Sequence, residues 1–262
     1  MIQLIASDID GTLLQGRSLT LDPHIFELIC RLKEKGIRFA AASGRQYYSL
    51  RALFEPVKDD ISYIAENGSL CIHNHEVLSR GKIDRDLSLR ILDSIYEYRE
   101  CECIVSCESK IYTDGTDEKF LSQLTDYLNY DIEIVKDLRE IKEDFLKIAV
   151  FNSQAPQAMR DHFTRQFKEE IKVVSSAKYW VDFIAPNANK GTALAGLLNH
   201  FQIDPVNCIA FGDQYNDVEM LQFAGTSYAM ANAAPGISYY STYVTDSVQE
   251  VLEDILAQIE IQ

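Results

Sequence analysis

"LIASDIDGTLL", residues 4–14, sets two aspartates two positions apart at the end of an apolar run. Leu4, Ile5 and Ala6 read as the end of a buried strand, and Gly11-Thr12 as the turn after it. Asp8 and Asp10 therefore stand where a strand gives way to a loop. Two carboxylates this close repel each other and are costly to desolvate unless a cation or a shared proton offsets them. In a parallel sheet this is also the edge at which ligands bind.

The same grammar repeats downstream. "DPHIFELICRLKEKG" (22–36) has Asp22 as a helix N-cap, Pro23 in the first turn, Gly36 as the stop, and Ile25, Leu28, Ile29 and Leu32 on one face. "IRFAAAS" (37–43) and "ISYIAENG" (61–68) read as the next two strands, each ending in a turn. Alternating strands and helices of this kind predict a doubly wound α/β domain. From about residue 83 to 185 the pattern changes. Helical stretches are separated by short or paired strands such as "CECIVSC" (101–107) and "FLKIAVFN" (145–152), which predicts a separate α+β layer. The α/β pattern returns with "NKGTALAGLLNHF" (189–201), "VNCIAFGD" (206–213), "NDVEMLQFAG" (216–225) and a last helix capped at Ser247. The expected organisation is one core built from 1–82 and 186–262, interrupted by an insert at 83–185.

Composition narrows the function. The chain has 262 residues, 47% of them hydrophobic, enough for a substantial core, and a formal net charge of −15. That charge disfavours nucleic acid and anionic membranes as partners but not a small anionic substrate, because one metal and a few cations can reverse the field inside a pocket. Cys30, Cys71, Cys101, Cys103, Cys107 and Cys208 form no C-x-x-C pair and read as free thiols. The sequence shows neither a basic, apolar leader nor a stretch long enough to span a membrane. A reducing cytoplasm is the expected setting. Nothing implies an obligate protein partner.

Four separated stretches carry the chemistry: Asp8-x-Asp10, Ser43-Gly44-Arg45, Lys190, and Gly212-Asp213-Gln214-Tyr215-Asn216-Asp217. Three lie at strand ends and Lys190 opens a helix, so a parallel sheet can gather them at one edge. "DIDGTLL", "SGR", Lys190 and "GDQYND", in this order, resemble the four motifs of the haloacid-dehalogenase superfamily, particularly its Cof-type phosphatase branch. The resemblance covers nearly the whole chain. It implies a Rossmann-like three-layer α/β/α core with an inserted α+β cap of the C2 type, and hydrolysis of small phosphorylated metabolites such as sugar phosphates or phosphorylated cofactors. Asp8 is then the nucleophile that forms an aspartyl-phosphate, and Asp10 the acid and base. Mg2+ is the implied cofactor, held by Asp8, Asp213 and the carbonyl of Asp10, with Asp217 acting directly or through a water. Ser43, Gly44 and Lys190 bind the phosphoryl group. Asn216 either contacts phosphate or organises its loop. Arg45 binds substrate or forms an ion pair, and Asn67 of "ENG" (66–68) meets the substrate or simply makes a turn. A phosphomutase, or a phosphate-ligand binding protein with little turnover, are the alternative functions.

Overall fold

The computed structural model describes residues 1–16, 20–98, 101–127, 131–177 and 179–260. The chain opens with β1 (Leu4–Asp8), α1 (Pro23–Glu34), β2 (Arg38–Ala42), α2 (Tyr47–Leu53), β3 (Ser62–Ala65), β4 (Leu70–His73) and β5 (Glu76–Arg80). It continues through α3 (Arg85–Tyr98), β6 (Glu102–Ser106), β7 (Ile111–Thr113), α4 (Glu118–Ser122), β8 (Ile132–Ile134), β9 (Lys147–Phe151), α5 (Pro156–Phe167), β10 (Lys172–Ala177) and β11 (Trp180–Ile184). It ends with α6 (Lys190–Phe201), β12 (Cys208–Gly212), α7 (Val218–Phe223), β13 (Thr226–Met230), β14 (Tyr243–Thr245) and α8 (Val248–Glu260). Two compact units result, Met1–Ser79 with Asn189–Gln262, and Arg80–Ala188.

The first unit is an α/β core around an eight-stranded sheet, ordered β14-β13-β12-β1-β2-β3-β4-β5. The run from β14 to β3 is parallel, and β4 returns antiparallel to β3. Central strands buried on both faces need continuous apolar sequence, and β1 is buried along its whole length. Leu4, Ala6, Ala40 and Ala42 on one face pack with Leu194, Leu197 and Leu198 of α6 and Met220 and Leu221 of α7. The small alanines let the helices approach closely. Across the sheet, α1 lies against β2 and α8. Asp22 caps α1 by accepting the His24 N–H at 2.9 Å, and Asn189 caps α6 through a reciprocal box with Thr192.

The second unit is α+β, with a six-stranded sheet ordered β10-β11-β9-β6-β7-β8. Alternation sorts its side chains. Cys103, Val105, Ile148, Val150, Val181 and Phe183 pack under α3 and α5. Ile104, Ala149 and Trp180 join Phe120 of α4 in another cluster. Lys147 and Asp182 make a buried ion pair at 3.9 Å. The six cysteines are free thiols, and among the described residues none takes part in a cluster of possible metal ligands.

Candidate active site

The strand order β12-β1-β2-β3 is parallel throughout, so the four carboxyl ends lie on one edge. Asp8 closes β1, Ser43 follows β2, Glu66-Asn67-Gly68 follows β3, and Asp213 follows β12. Lys190 is the first residue of α6.

Asp8, Asp213 and Asp217 are buried and present carboxylate oxygens within 4.8 Å of one another, the one grouping of this kind among the described residues. The Lys190 ammonium, fully buried, donates to Asp8 Oδ1 at 2.5 Å and to Asp217 Oδ1 at 2.6 Å. Asp217 turns its other oxygen back on its own loop, where Oδ2 accepts the N–H groups of Asp213 and Gln214, both at 3.0 Å. Asp213 accepts from Thr12 Oγ1 at 3.2 Å and from Gln214 Nε2 at 3.3 Å. The sequence names Thr12 in a turn and Gln214 within the last motif but assigns neither a role. Thr12 belongs to the turn after Asp10, and its burial is the signal that a turn position alone does not give.

Electrostatics here is poised for a cation. Burial pushes the Asp8 carboxyl well up, the Asp217 charge pushes it further, and Lys190 opposes both. Asp213 is raised by burial and then by Asp217, against the hydrogen bonds of Gln214 and Thr12. Burial alone would lower the Lys190 ammonium, but Asp217 and Asp8 overcome it and hold it above the ordinary lysine value. One ammonium among three carboxylates leaves negative charge in excess. The donors are all oxygen, which suits a hard divalent ion. Gly11 gives the cluster room: its φ is +92°, and a Cβ there would lie 2.3 Å from Asp213 Oδ2. Asp8 and Asp213 therefore fit the requirements of a divalent metal site. Asp217 belongs to the same group, and like Asp213 it accepts hydrogen bonds on both oxygens.

Asp10 points elsewhere. Its carboxylate receives a two-pronged contact from Arg45, Nε to Oδ2 at 2.8 Å and Nη2 to Oδ1 at 2.6 Å. The ion pair of Arg45 is therefore with Asp10. Ser43 is buried, and its Oγ accepts the Arg45 N–H at 3.2 Å. The Asn67 N–H donates to the Ser43 carbonyl at 3.0 Å, and the Asn216 amide donates to Asn67 Oδ1 at 2.9 Å. The edge thus brings Asp8, Asp213, Asp217 and Lys190 into one cluster and joins Ser43, Gly44, Asn67 and Asn216 in a second. Asp10 and Arg45 pair beside them.

A family model described as haloacid dehalogenase-like hydrolase matches residues 5–253. The chain belongs to this family. Among its relatives, the 5-amino-6-(5-phospho-D-ribitylamino)uracil phosphatase YbjI of Escherichia coli (strain K12) is 27% identical over 261 residues, covering 97% of this chain and 96% of that protein. The HMP-PP phosphatase of Citrobacter koseri is 28% identical over 238 residues, with 90% and 86% covered. A crystal structure of a Eubacterium rectale protein shares the fold with a TM-score of 0.89 at 30% identity, covering 97% of this chain and 99% of that one. As a haloacid dehalogenase-like hydrolase the chain is an enzyme, and its likeness to these relatives runs through both units. No helix among the described residues is long and apolar enough to cross a membrane.

Proposed function

We propose that this chain is a magnesium-dependent phosphatase of the Cof type, hydrolysing a small phosphorylated metabolite through an aspartyl-phosphate on Asp8. The observation that carries the reading is the Lys190 ammonium set between Asp8 and Asp217 beside a third buried carboxylate, Asp213. A structural ion pair needs neither the third acid nor the accumulation of all three at one sheet edge. The unit Arg80–Ala188 is then the cap, of the C2 type, and carries the choice of leaving group.

In this scheme Asp8 attacks phosphorus as the bond to the alcohol oxygen breaks, and Asp10 gives that oxygen a proton. Asp10 then takes a proton from water as the water attacks the acyl phosphate, releasing inorganic phosphate and regenerating Asp8. Arg45, in its two-pronged contact, fixes the position of the Asp10 carboxyl. Lys190, the Ser43 hydroxyl, Gly44 and Asn216 meet the phosphoryl oxygens, where charge spreads in the transition state. Asp8, Asp213 and the Asp10 carbonyl, with Asp217 directly or through a water, would hold Mg2+, which would neutralise phosphoryl charge.

Three of the relatives carry the name 5-amino-6-(5-phospho-D-ribitylamino)uracil phosphatase. A polyol phosphate borne on a heterocycle is therefore the first compound to assay, followed by sugar phosphates and phosphorylated cofactors. The test is a phosphate-release screen with Mg2+, repeated with chelator. Multiple turnovers that stop on chelation and resume with Mg2+ support the reading. Isomerised phosphorylated product without free phosphate indicates a phosphomutase. Tight binding without turnover of any compound indicates a binding protein.

A further inference from the structure

The longest stretch of this chain without a charged side chain runs from residue 220 to 245. These 26 residues hold no Asp, Glu, Lys or Arg, in a chain where one residue in four is charged. The stretch takes in the end of α7, then β13, β14 and the turns between them, all within the first unit. It is also where apolar surface collects. Nine large hydrophobic residues stand exposed among the described residues, and Tyr239, Tyr240, Tyr243 and Val244 come from this one stretch. A fifth, Tyr215, joins it by donating its hydroxyl to the Pro235 carbonyl at 3.0 Å. Exposed apolar residues scattered singly are ordinary surface, but a collected patch marks a binding face.

The patch sits on the free edge of the sheet. β14 is the last strand in the order, so among the described residues no strand lies beyond it. Natural edges are commonly guarded by a charged side chain or a proline that keeps other chains from pairing with them. β14, Tyr243-Val244-Thr245, has neither. The shape of the face is fixed in advance. Phe211, Tyr228 and Tyr243 line up across β12, β13 and β14, with successive ring centroids 5.0 and 5.3 Å apart. The Thr242 N–H donates to the Ser227 carbonyl at 3.0 Å, and the Ala234 N–H to the Asp213 carbonyl at 2.8 Å. A preformed face loses little conformational freedom when it is covered.

We propose that this face is the contact between two copies of the chain, related by a two-fold axis that sets one β14 edge against the other. Charge selects the occupant. Each copy carries −15, so two copies repel wherever acidic surface meets acidic surface, and they approach best through the stretch that carries no charge. A basic partner would instead be drawn to the acids elsewhere. A tyrosine hydroxyl both donates and accepts, so the patch satisfies itself when it meets its own copy, as a two-fold contact requires. The area is of the right order. Tyr239 is 90% exposed, Tyr215 62%, Tyr243 56% and Tyr240 42%. At about 200 Å² for a whole tyrosine these side chains expose roughly 500 Å², and a stable interface takes about 800 Å² from each partner. Val244 and the uncharged residues between the tyrosines supply the rest. The proposal is independent of the phosphatase reading.

The test is sedimentation equilibrium of the full chain over a concentration series, at low and at moderate salt. The wild-type mass should rise from 29.8 kDa toward twice that value. Association should tighten with salt, because screening removes the repulsion between two acidic copies. Tyr239→Glu changes a side chain that is almost wholly exposed. It should leave the thermal unfolding curve in place and yet weaken association about a hundredfold, one aromatic anchor being lost from each copy. Tyr240→Glu is the second probe of the same face. Tyr48→Glu adds the same charge to an exposed tyrosine of α2, beside β3 and five places along the sheet from β14, and should associate like wild type. A mass of 29.8 kDa at every concentration up to about 0.1 mM overturns the proposal. So does association that weakens with salt, a dimer that survives both Tyr239→Glu and Tyr240→Glu, or a dimer lost equally with Tyr48→Glu.

Discussion

Replacing Asp217 with alanine in metal-free protein tests the site as a piece of folded structure, independently of any substrate. Asp217 is completely buried and accepts three hydrogen bonds, one from the Lys190 ammonium at 2.6 Å and two from the backbone of its own loop at 3.0 Å. Alanine leaves Lys190 with Asp8 alone of its two carboxylate partners and strips both loop N–H groups of their acceptor. Breaking a buried pair by removing one member costs about 3–5 kcal/mol. At about 2–4 °C per kcal/mol for a chain of this order of length, the melting temperature should drop by roughly 6–20 °C. The assay is thermal and urea unfolding by circular dichroism in the presence of a chelator. Asp213→Asn is the contrast. Its folded-state pKa is raised, first by burial and then by Asp217. An acid of this kind contributes stability only below its unfolded value and loses it as pH rises through the folded one, so at neutral pH the ionised form costs stability. Asp213→Asn should therefore stabilise metal-free protein at pH 7. If Asp217 were chiefly a metal ligand, its removal would also relieve repulsion, and Asp217→Ala would match or exceed wild type without metal. That result would refute the assignment of Asp217 as the organiser of the loop.

Asp10→Asn should behave in the opposite way: its pair with Arg45 is partly exposed, at 28% and 55% for the two side chains, so unfolding should shift by no more than about 1 kcal/mol, while turnover measured by phosphate release falls about 10²–10⁴-fold. His24 is raised above its ordinary value of 6.5 by Glu253 of α8 and then by Glu27. The stability it contributes is full below that value and disappears as pH rises through the folded-state pKa, so the melting-temperature gap between wild type and His24→Gln should be widest in mild acid and close in mild alkali. In the second unit, Lys147→Met removes the ammonium from beside buried Asp182 and should cost about 3–5 kcal/mol, measured by urea unfolding; Lys147→Met/Asp182→Leu should recover most of it, and a double variant as unstable as the single one would contradict the buried-pair argument.

Much of the architecture was legible because buried parallel strands must be written in continuous apolar sequence. "LIASD", "RFAAA" and "CIAFG" declare themselves, and the residues that follow them are forced to one edge. Asp8, Ser43 and Asp213 could be placed there from periodicity alone. Lys190 could not. Its helix start is announced by Asn189, but its contact with Asp8 spans 182 positions and has no local signature; the motif order supplied it. The pairing of Arg45 with Asp10 was equally invisible, since an arginine after a strand serves a substrate or a carboxylate with the same residue type.

What remained hidden depends on backbone that composition does not announce. "ENG" reads as a turn, or as a loop whose Asn67 meets the substrate. Nothing in the letters says that Glu66 and Asn67 share the left-handed region, because the conformation is imposed from outside by Ser43, Arg45 and the opening of α6. Asp217 is a similar case. A D-x-x-x-D spacing is compatible with two metal ligands, or with one ligand and one acid folded back onto the loop. The choice turns on a single rotamer, and in this fold the N–H groups of Asp213 and Gln214 and the Lys190 ammonium occupy both of its oxygens. The physical consequence is a division of labour between acids of identical chemistry. Asp217 is held by two backbone N–H groups and the Lys190 ammonium, whereas Asp213 is held by the side chains of Thr12 and Gln214 and Asp8 meets the other side of the same ammonium.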